Sequence, residues 1–199
     1  LIPRPETELL VEAAVELAGH IREQGEQIAI ADIGTGCGAI AVSLALALPQ
    51  ARIYATDISA LALKVAEVNC RRHEVIGQVE LLQGNLLEPL PPAVDLIVAN
   101  LPYVKDCEFV DVSPEIREYE PAIALAGGKD GLDKIREMLE QMRGKGDVHL
   151  DRWPAYVLLE IGQGQAEMVT SLVSEYFPQA SVELIPDLGG IERVAKVGL

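Results

Sequence analysis

The sequence predicts an α/β fold in three layers: a mostly parallel, seven-stranded sheet, helices on both faces, and a C-terminal antiparallel hairpin. Three observations predict it. Short apolar runs alternate five times with longer amphipathic segments, the pattern of strand-helix units that wind a parallel sheet. The last two runs, Ser181 to Ile185 and Glu192 to Val197, are separated only by a turn through Asp187-Leu188-Gly189-Gly190. A parallel crossover needs about a dozen residues, so these two must pair as a hairpin and place one antiparallel strand near an edge. Finally, 199 residues, 49% of them apolar, suffice for one sizeable core and are few for two, so residues 1–199 read as a single domain.

Taken in order, Pro3 and Pro5 delay the first helix, which runs from Glu6 to Ile21 with apolar residues at Leu9, Leu10, Ala13, Ala14, Leu17 and Ile21 and acidic residues in its first turn. Ile28 to Ile33 is a strand, Gly34-Thr35-Gly36-Cys37-Gly38 a glycine turn, and Ala39 to Leu48 an apolar helix. Ala51 to Thr56 is a second strand ending at Asp57, and Ser59 caps a helix to about Arg72. Val79 to Gln83 is a third strand, closed by Gly84-Asn85. The proline-rich Glu88 to Pro92 leads into a fourth, bounded by Asp95 and Asn100. A long irregular stretch follows to Gly128, of the length that usually carries function. Lys129 to Arg143 reads as a helix, Ala155 to Ile161 as a buried strand, and Gln165 to Phe177 as another amphipathic helix.

Composition narrows the partners. A net charge of −15, with the 16 Lys and Arg scattered, disfavours direct attraction to a phosphate backbone. Cys37, Cys70 and Cys107 are too far apart for a disulfide framework or a CxxC metal pattern, and a reducing, cytoplasmic setting fits. His20, His73 and His149 have no metal or triad spacing. No apolar run approaches the roughly 20 residues of a membrane span, and no secretory signal opens the chain. The first residues, Leu1-Ile2-Pro3, lack an initiator Met, from which an absent upstream segment is expected.

The glycine turn is the first candidate site. Gly34, Gly36 and Gly38 allow a tight turn and close approach to a ligand facing the N-H groups of the next helix. The spacing leaves two cofactor classes open: Gly34-x-Gly36-x-x-Ala39 satisfies the dinucleotide fingerprint, and Gly34-x-Gly36-x-Gly38 the alternating-glycine loop of methyltransferases. Asp57 suits ribose hydroxyls in either case. Asp32 either orients the loop or reaches the cofactor. Asn85 and Leu86 are placed to meet an adenine edge and face, although a plain turn accounts for the same letters.

The second candidate site follows the fourth strand, where Asn100-Leu101-Pro102-Tyr103 resembles the Asn-Pro-Pro-Tyr motif of methyltransferases that use S-adenosylmethionine to methylate a planar nitrogen. With Leu1-Ile2-Pro3-Arg4-Pro5-Glu6-Thr7-Glu8, Asp32-Ile33-Gly34-Thr35-Gly36, Tyr119-Glu120-Pro121, Ala124-Leu125-Ala126-Gly127-Gly128, Asp130-Gly131-Leu132 and Asp187-Leu188-Gly189-Gly190-Ile191-Glu192-Arg193, the chain resembles the HemK/PrmC family, the glutamine N5-methyltransferases of peptide chain release factors, over essentially its whole length.

The resemblance implies a Rossmann-like class I methyltransferase fold, S-adenosyl-L-methionine as cofactor, the glutamine of the release-factor Gly-Gly-Gln motif as substrate, and a small helical substrate-docking domain that is absent here. A monomer with no direct nucleic-acid or membrane partner is expected. The resemblance assigns acceptance of the two amide N-H bonds to the Asn100 side chain and the Leu101 carbonyl, with Pro102 shaping the turn and Tyr103 stacking on the amide plane. The cofactor contacts expected are Asp32, Ile33, Gly34, Thr35, Gly36, Gly38, Asp57, Asn85, Leu86 and Asn100, and the resemblance adds a lid of Arg4, Pro5, Glu6 and Thr7, letters that the N-terminus of a helix accounts for equally.

Leu101 departs from the family, which has proline there. A backbone carbonyl survives the change, and a residue before Pro102 is still pushed to the extended region, so the acceptor should persist with some loss of rigidity. Three other readings remain at this stage. An adenine-N6 methyltransferase would call for a basic groove, a nicotinamide-dependent oxidoreductase leaves Asn100 to Tyr103 without a task, and a catalytically silent cofactor-binding module would share the glycine loop.

Overall fold

In the computed structural model of the chain, which describes residues 4, 6–21, 27–108, 121, 124–146 and 154–199, seven strands form one sheet. They are β1 (Ala29–Ile33), β2 (Arg52–Asp57), β3 (Val79–Gln83), β4 (Leu96–Ala99), β5 (Tyr156–Glu160), β6 (Ser181–Pro186) and β7 (Glu192–Gly198), in the order β3-β2-β1-β4-β5-β7-β6. Neighbours from β3 to β5 are parallel. β7 runs antiparallel to both β5 and β6, one position in from the edge, as the short turn before it required.

The parallel strands are apolar on both faces because helices cover both. In β4, Leu96 and Val98 point to a core shared with α1 (Glu6–Ile21) and α2 (Ala39–Ala47), whereas Ile97 and Ala99 point to a core shared with α4 (Asp133–Gly146) and α5 (Ala166–Tyr176). This is the period-2 alternation of a strand buried on both sides. α3 (Ala60–Arg72) joins the first face through Cys70, and the Ser59 hydroxyl accepts from Ala62 N at its start, the expected cap.

One element starts later than its sequence suggests: the helix expected from Lys129 begins at Asp133. Gly128 and Gly131 have φ of +84° and +80°, which no helix accommodates, and the Asp130 carboxylate accepts from Leu132 N to close a turn. The expectations at Pro5, Tyr119, Glu120 and His149 lie outside the described residues.

The sheet order creates a switch point. The chain winds from β1 outward to β3, then returns across β1 to β4, so β1 and β4 are neighbours whose following loops diverge. Ile33 pairs with Ala99, which makes Gly34 and Asn100 leave the sheet side by side at its carboxyl edge. In open α/β sheets this crevice is where ligands bind.

Candidate active site

On one side of the crevice is the glycine loop. Gly34, Gly36 and Gly38 all lie in the left-handed region, with φ of +73°, +57° and +82°. Gly34 N and Thr35 N both donate to Thr56 O on β2, and Gly36 N donates to Asp57 Oδ2 at 2.9 Å. Asp57 Oδ1 accepts from Ser59 N, so this one carboxylate ties the loop to the start of α3. At Gly38 a Cβ would lie 2.9 Å from the Ala66 Cβ, so the third glycine sets how closely α2 and α3 approach.

Asp32 stands behind the loop. It is fully buried, its Oδ2 accepts from the Thr35 hydroxyl at 2.6 Å and from Ala41 N in the first turn of α2 at 3.0 Å, and its Oδ1 has no partner. Burial pushes its carboxyl up to about 6 against the downward pull of those two hydrogen bonds. Of the two roles left open for Asp32, loop orientation is the one this geometry serves. Ile33 is likewise sealed in the core.

Opposite the loop is the Asn100 to Tyr103 turn. The Asn100 Nδ2 donates to Glu160 Oε2 at 2.8 Å and to Thr7 Oγ1 at 3.2 Å, and Thr7 Oγ1 in turn donates to Glu160 Oε2 at 2.8 Å. The Leu101 side chain is buried, with its Cδ2 packed against Gly34, so it anchors one loop on the other. Tyr103 is half-buried, its ring lying beside Gly162. Burial, with the Glu160 charge adding to it, holds the Tyr103 hydroxyl above its ordinary value and keeps it a neutral phenol.

The turn is clamped from below by residues 124–131. Val104 N donates to Leu125 O, Gly127 N donates to Val104 O, and a Cβ on Gly127 or Gly131 would collide with Pro102 O or Tyr103 O respectively. Gln165, almost fully buried, donates through Nε2 to Tyr103 O and accepts through Oε1 from Gly162 N. The Ala124–Gly128 and Asp130–Leu132 segments are therefore the floor that holds the turn.

The cavity between these walls has a volume of about 290 Å³ and is lined by Thr7, Gly34, Thr35, Gly36, Asn100, Leu101, Pro102, Tyr103 and Glu160, among others. Asn85 and Leu86 are not among its lining residues. The Asn85 Nδ2 donates to Glu137 Oε1 on α4, and Leu86, with φ of +53°, packs in the core. Glu160 and Gln165 were not singled out from the sequence. The signal for Glu160 was a charged residue closing the apolar run Tyr156-Val157-Leu158-Leu159, on the strand that pairs with β4. Burial raises the Glu160 carboxyl above its ordinary range, partly offset by the Thr7 and Asn100 hydrogen bonds. Among the described residues no cluster of three or more His, Cys, Asp or Glu is arranged to hold a metal ion, and no helix is long and apolar enough to cross a membrane.

This sheet order, glycine loop and strand-end Asn100 define a methyltransferase domain of the Rossmann-like class, and the family described as "Methyltransferase small domain" matches residues 7–118. Sequences named "Release factor glutamine methyltransferase" align over nearly the whole chain. That of Gloeobacter violaceus is 40% identical, covering 98% of this chain and 65% of its own length. That of Moorella thermoacetica is 42% identical, covering 97% and 65%. That of Bacillus cereus is 37% identical, covering 98% and 67%. The chain belongs to the release factor glutamine methyltransferase family and spans about two thirds of the length of these relatives. In fold it also resembles the hMettl16 catalytic domain in complex with the MAT2A 3′UTR hairpin 6, with a TM-score of 0.73 at 15% identity, covering 100% of this chain and 72% of that one. The N-terminal domain of human METTL16 in complex with SAH gives a TM-score of 0.63 at 16% identity, covering 100% and 72%.

Proposed function

We propose that this chain is a single methyltransferase catalytic domain that transfers a methyl group from S-adenosyl-L-methionine to the side-chain N5 of the glutamine in the Gly-Gly-Gln motif of peptide chain release factors. The relatives named for that activity support it. The observation that carries it is the pinned Asn100 amide beside the glycine loop at the switch point.

The residues present fit the cofactor. A Cβ on Gly36 would meet nothing nearer than Gly34 O at 3.9 Å, so the loop leaves room in front of it for a ligand. Gly34, Thr35 and Gly36, with the N-terminus of α2, suit an amino-acid carboxylate, and Asp57 suits a pair of hydroxyls. Asp32, Ile33 and Gly38 hold the loop in shape and Thr7 lines the cavity beside it, while Asn85 and Leu86, which do not line the cavity, would meet a cofactor only at its far, adenine end. When bound, the cofactor supplies an electrophilic methyl group on a sulfonium.

The chain's own contribution is to make an amide nitrogen react. That nitrogen is a poor nucleophile because its lone pair is delocalised into the carbonyl. The Asn100 Oδ1 and the Leu101 carbonyl accept its two N-H bonds and bind more strongly as positive charge develops on nitrogen. Pro102 fixes the turn, and Tyr103 stacks on the amide plane to hold the lone pair in line. The extra proton leaves after transfer, from a nitrogen made acidic by its charge, so no general base is assigned. A net charge of −15 favours a protein partner over a nucleic acid, and we read the protein as a cytoplasmic monomer.

The decisive experiment incubates the protein with labelled S-adenosylmethionine and either a release factor or duplex DNA, and maps the label by mass spectrometry. Label on the Gly-Gly-Gln glutamine is expected; label only in DNA, or nowhere, overturns the proposal.

A further inference from the structure

An asparagine amide is nearly symmetric in shape, and a half-turn about its last torsion exchanges an acceptor for a donor. At the Asn100 position that exchange decides whether the cavity receives an acceptor. Fold and backbone do not choose between the two orientations; the hydrogen-bond partners do. On one side Asn100 meets Glu160 Oε2 and Thr7 Oγ1. Burial favours the neutral form of Glu160, but the hydrogen bonds from Thr7 and Asn100 both favour the carboxylate, which offers only lone pairs. A threonine hydroxyl offers either a proton or lone pairs, but Thr7 spends its single proton on Glu160 Oε2 at 2.8 Å. Both neighbours therefore present acceptors to Asn100, and only the Nδ2 end is tolerated against them.

We infer that Glu160, with Thr7 as its relay, is the positioning residue that locks the Asn100 amide with Oδ1 turned toward the substrate. The arrangement rests on reading Asn100 as the acceptor for the substrate amide. It accounts for two features that the transfer chemistry does not use: a carboxylate buried at the end of an apolar strand, and a buried threonine in the first turn of α1. Neither residue need touch the reacting atoms. Thr7 and Glu160 are 153 residues apart in the chain, so the lock draws α1 and β5 together around the end of β4.

The lock makes distinct demands on each substitution. Glu160→Gln keeps the shape but supplies both a donor and an acceptor, which permits either Asn100 orientation. Thr7→Val keeps the shape but removes the hydroxyl, and Thr7→Ser restores it. The expected result is a kcat for glutamine methylation at least tenfold lower in Glu160→Gln and several-fold lower in Thr7→Val, with Thr7→Ser within about twofold of the parent. KM for the release factor and the calorimetric affinity for S-adenosylmethionine should stay within about threefold in Glu160→Gln.

A second readout does not depend on turnover. The Asn100 side-chain NH2 signals in a ¹⁵N spectrum, assigned by their loss in Asn100→Ala, should exchange slowly with solvent in the parent and Thr7→Ser and quickly in Glu160→Gln. Equal protection in the parent and Glu160→Gln, or a Thr7→Ser variant as impaired as Thr7→Val, would overturn the inference. If the parent methylates no release factor yet its Asn100 amide is protected and Glu160→Gln releases it, the substrate assignment fails and the lock stands.

Discussion

Asp32, buried near the end of β1, and Asn100, part-buried just past the end of the adjacent β4, sit in environments that ask opposite things of them. Asn100 meets two acceptors on one side of its amide and faces the cavity on the other. Removing it should leave cofactor affinity nearly unchanged while transfer falls by about a hundredfold or more, the loss expected of an acceptor that matters chiefly in the transition state. Single-turnover kinetics with calorimetry on Asn100→Ala would check this, and collapse of cofactor binding would contradict it.

Asp32 is held between two donors but is otherwise desolvated, and its folded-state carboxyl near 6 lies above the ordinary 3.8. Between those values the folded chain holds a proton that the unfolded chain releases, so stability from this group falls as pH rises through the interval and is constant above it. At about 1.4 kcal/mol per pH unit the loss sums to about 3 kcal/mol. Asp32→Asn retains an acceptor for Thr35 and Ala41 and does not titrate. Urea unfolding across the pH range should show the variant gaining about 3 kcal/mol on the parent between pH 4 and pH 7.

At the scale of elements, the sequence displayed its strands and helices because their apolar periods are clean, and boundaries moved by only a residue or two where caps are visible, as at Ser59. Reading the helix from Lys129 passed over the turn signal Asp130-Gly131, whose positive φ and whose place against Tyr103 O hold the helix start back to Asp133. The contact between α2 and α3 likewise depends on a glycine. Gly38→Ala adds a Cβ at 2.9 Å from Ala66 and forces a side chain into φ of +82°, so it should destabilise the protein by about 2–4 kcal/mol. In an Ala66→Gly background the 2.9 Å contact is removed while the Ala66 Cα at 3.1 Å remains, so the penalty of Gly38→Ala should shrink by about 1 kcal/mol without vanishing. A double-mutant cycle by chemical denaturation measures this directly.

For the molecule as a whole, the seven-stranded, mostly parallel sheet and its terminal hairpin followed from apolar runs and one short turn, whereas the strand order, which sets β1 beside β4, rests on long-range pairings with no local trace. The quartet at Asn100 and the glycines at 34, 36 and 38 were legible because their chemistry is local. Glu160 was not, since an acid closing a strand ordinarily reads as the point where the chain meets solvent, and its meaning depends on Thr7 far away in the chain. The net charge carries its own expectation: by fluorescence anisotropy the protein should not bind duplex DNA measurably at micromolar concentration in 0.1 M salt. Salt-sensitive binding would instead reveal a basic patch that composition hides.

The Thr7 to Glu160 hydrogen bond also bears on partly opened forms of the molecule. The glycine loop is assembled from β1, β2, α2 and α3, none of which includes Thr7, so an opened form in which only α1 has frayed keeps the loop's internal hydrogen bonds. Such a form retains the means to capture cofactor and loses the restraint on Asn100. On the proposed function, methyl transfer would then be confined to molecules whose first helix has docked.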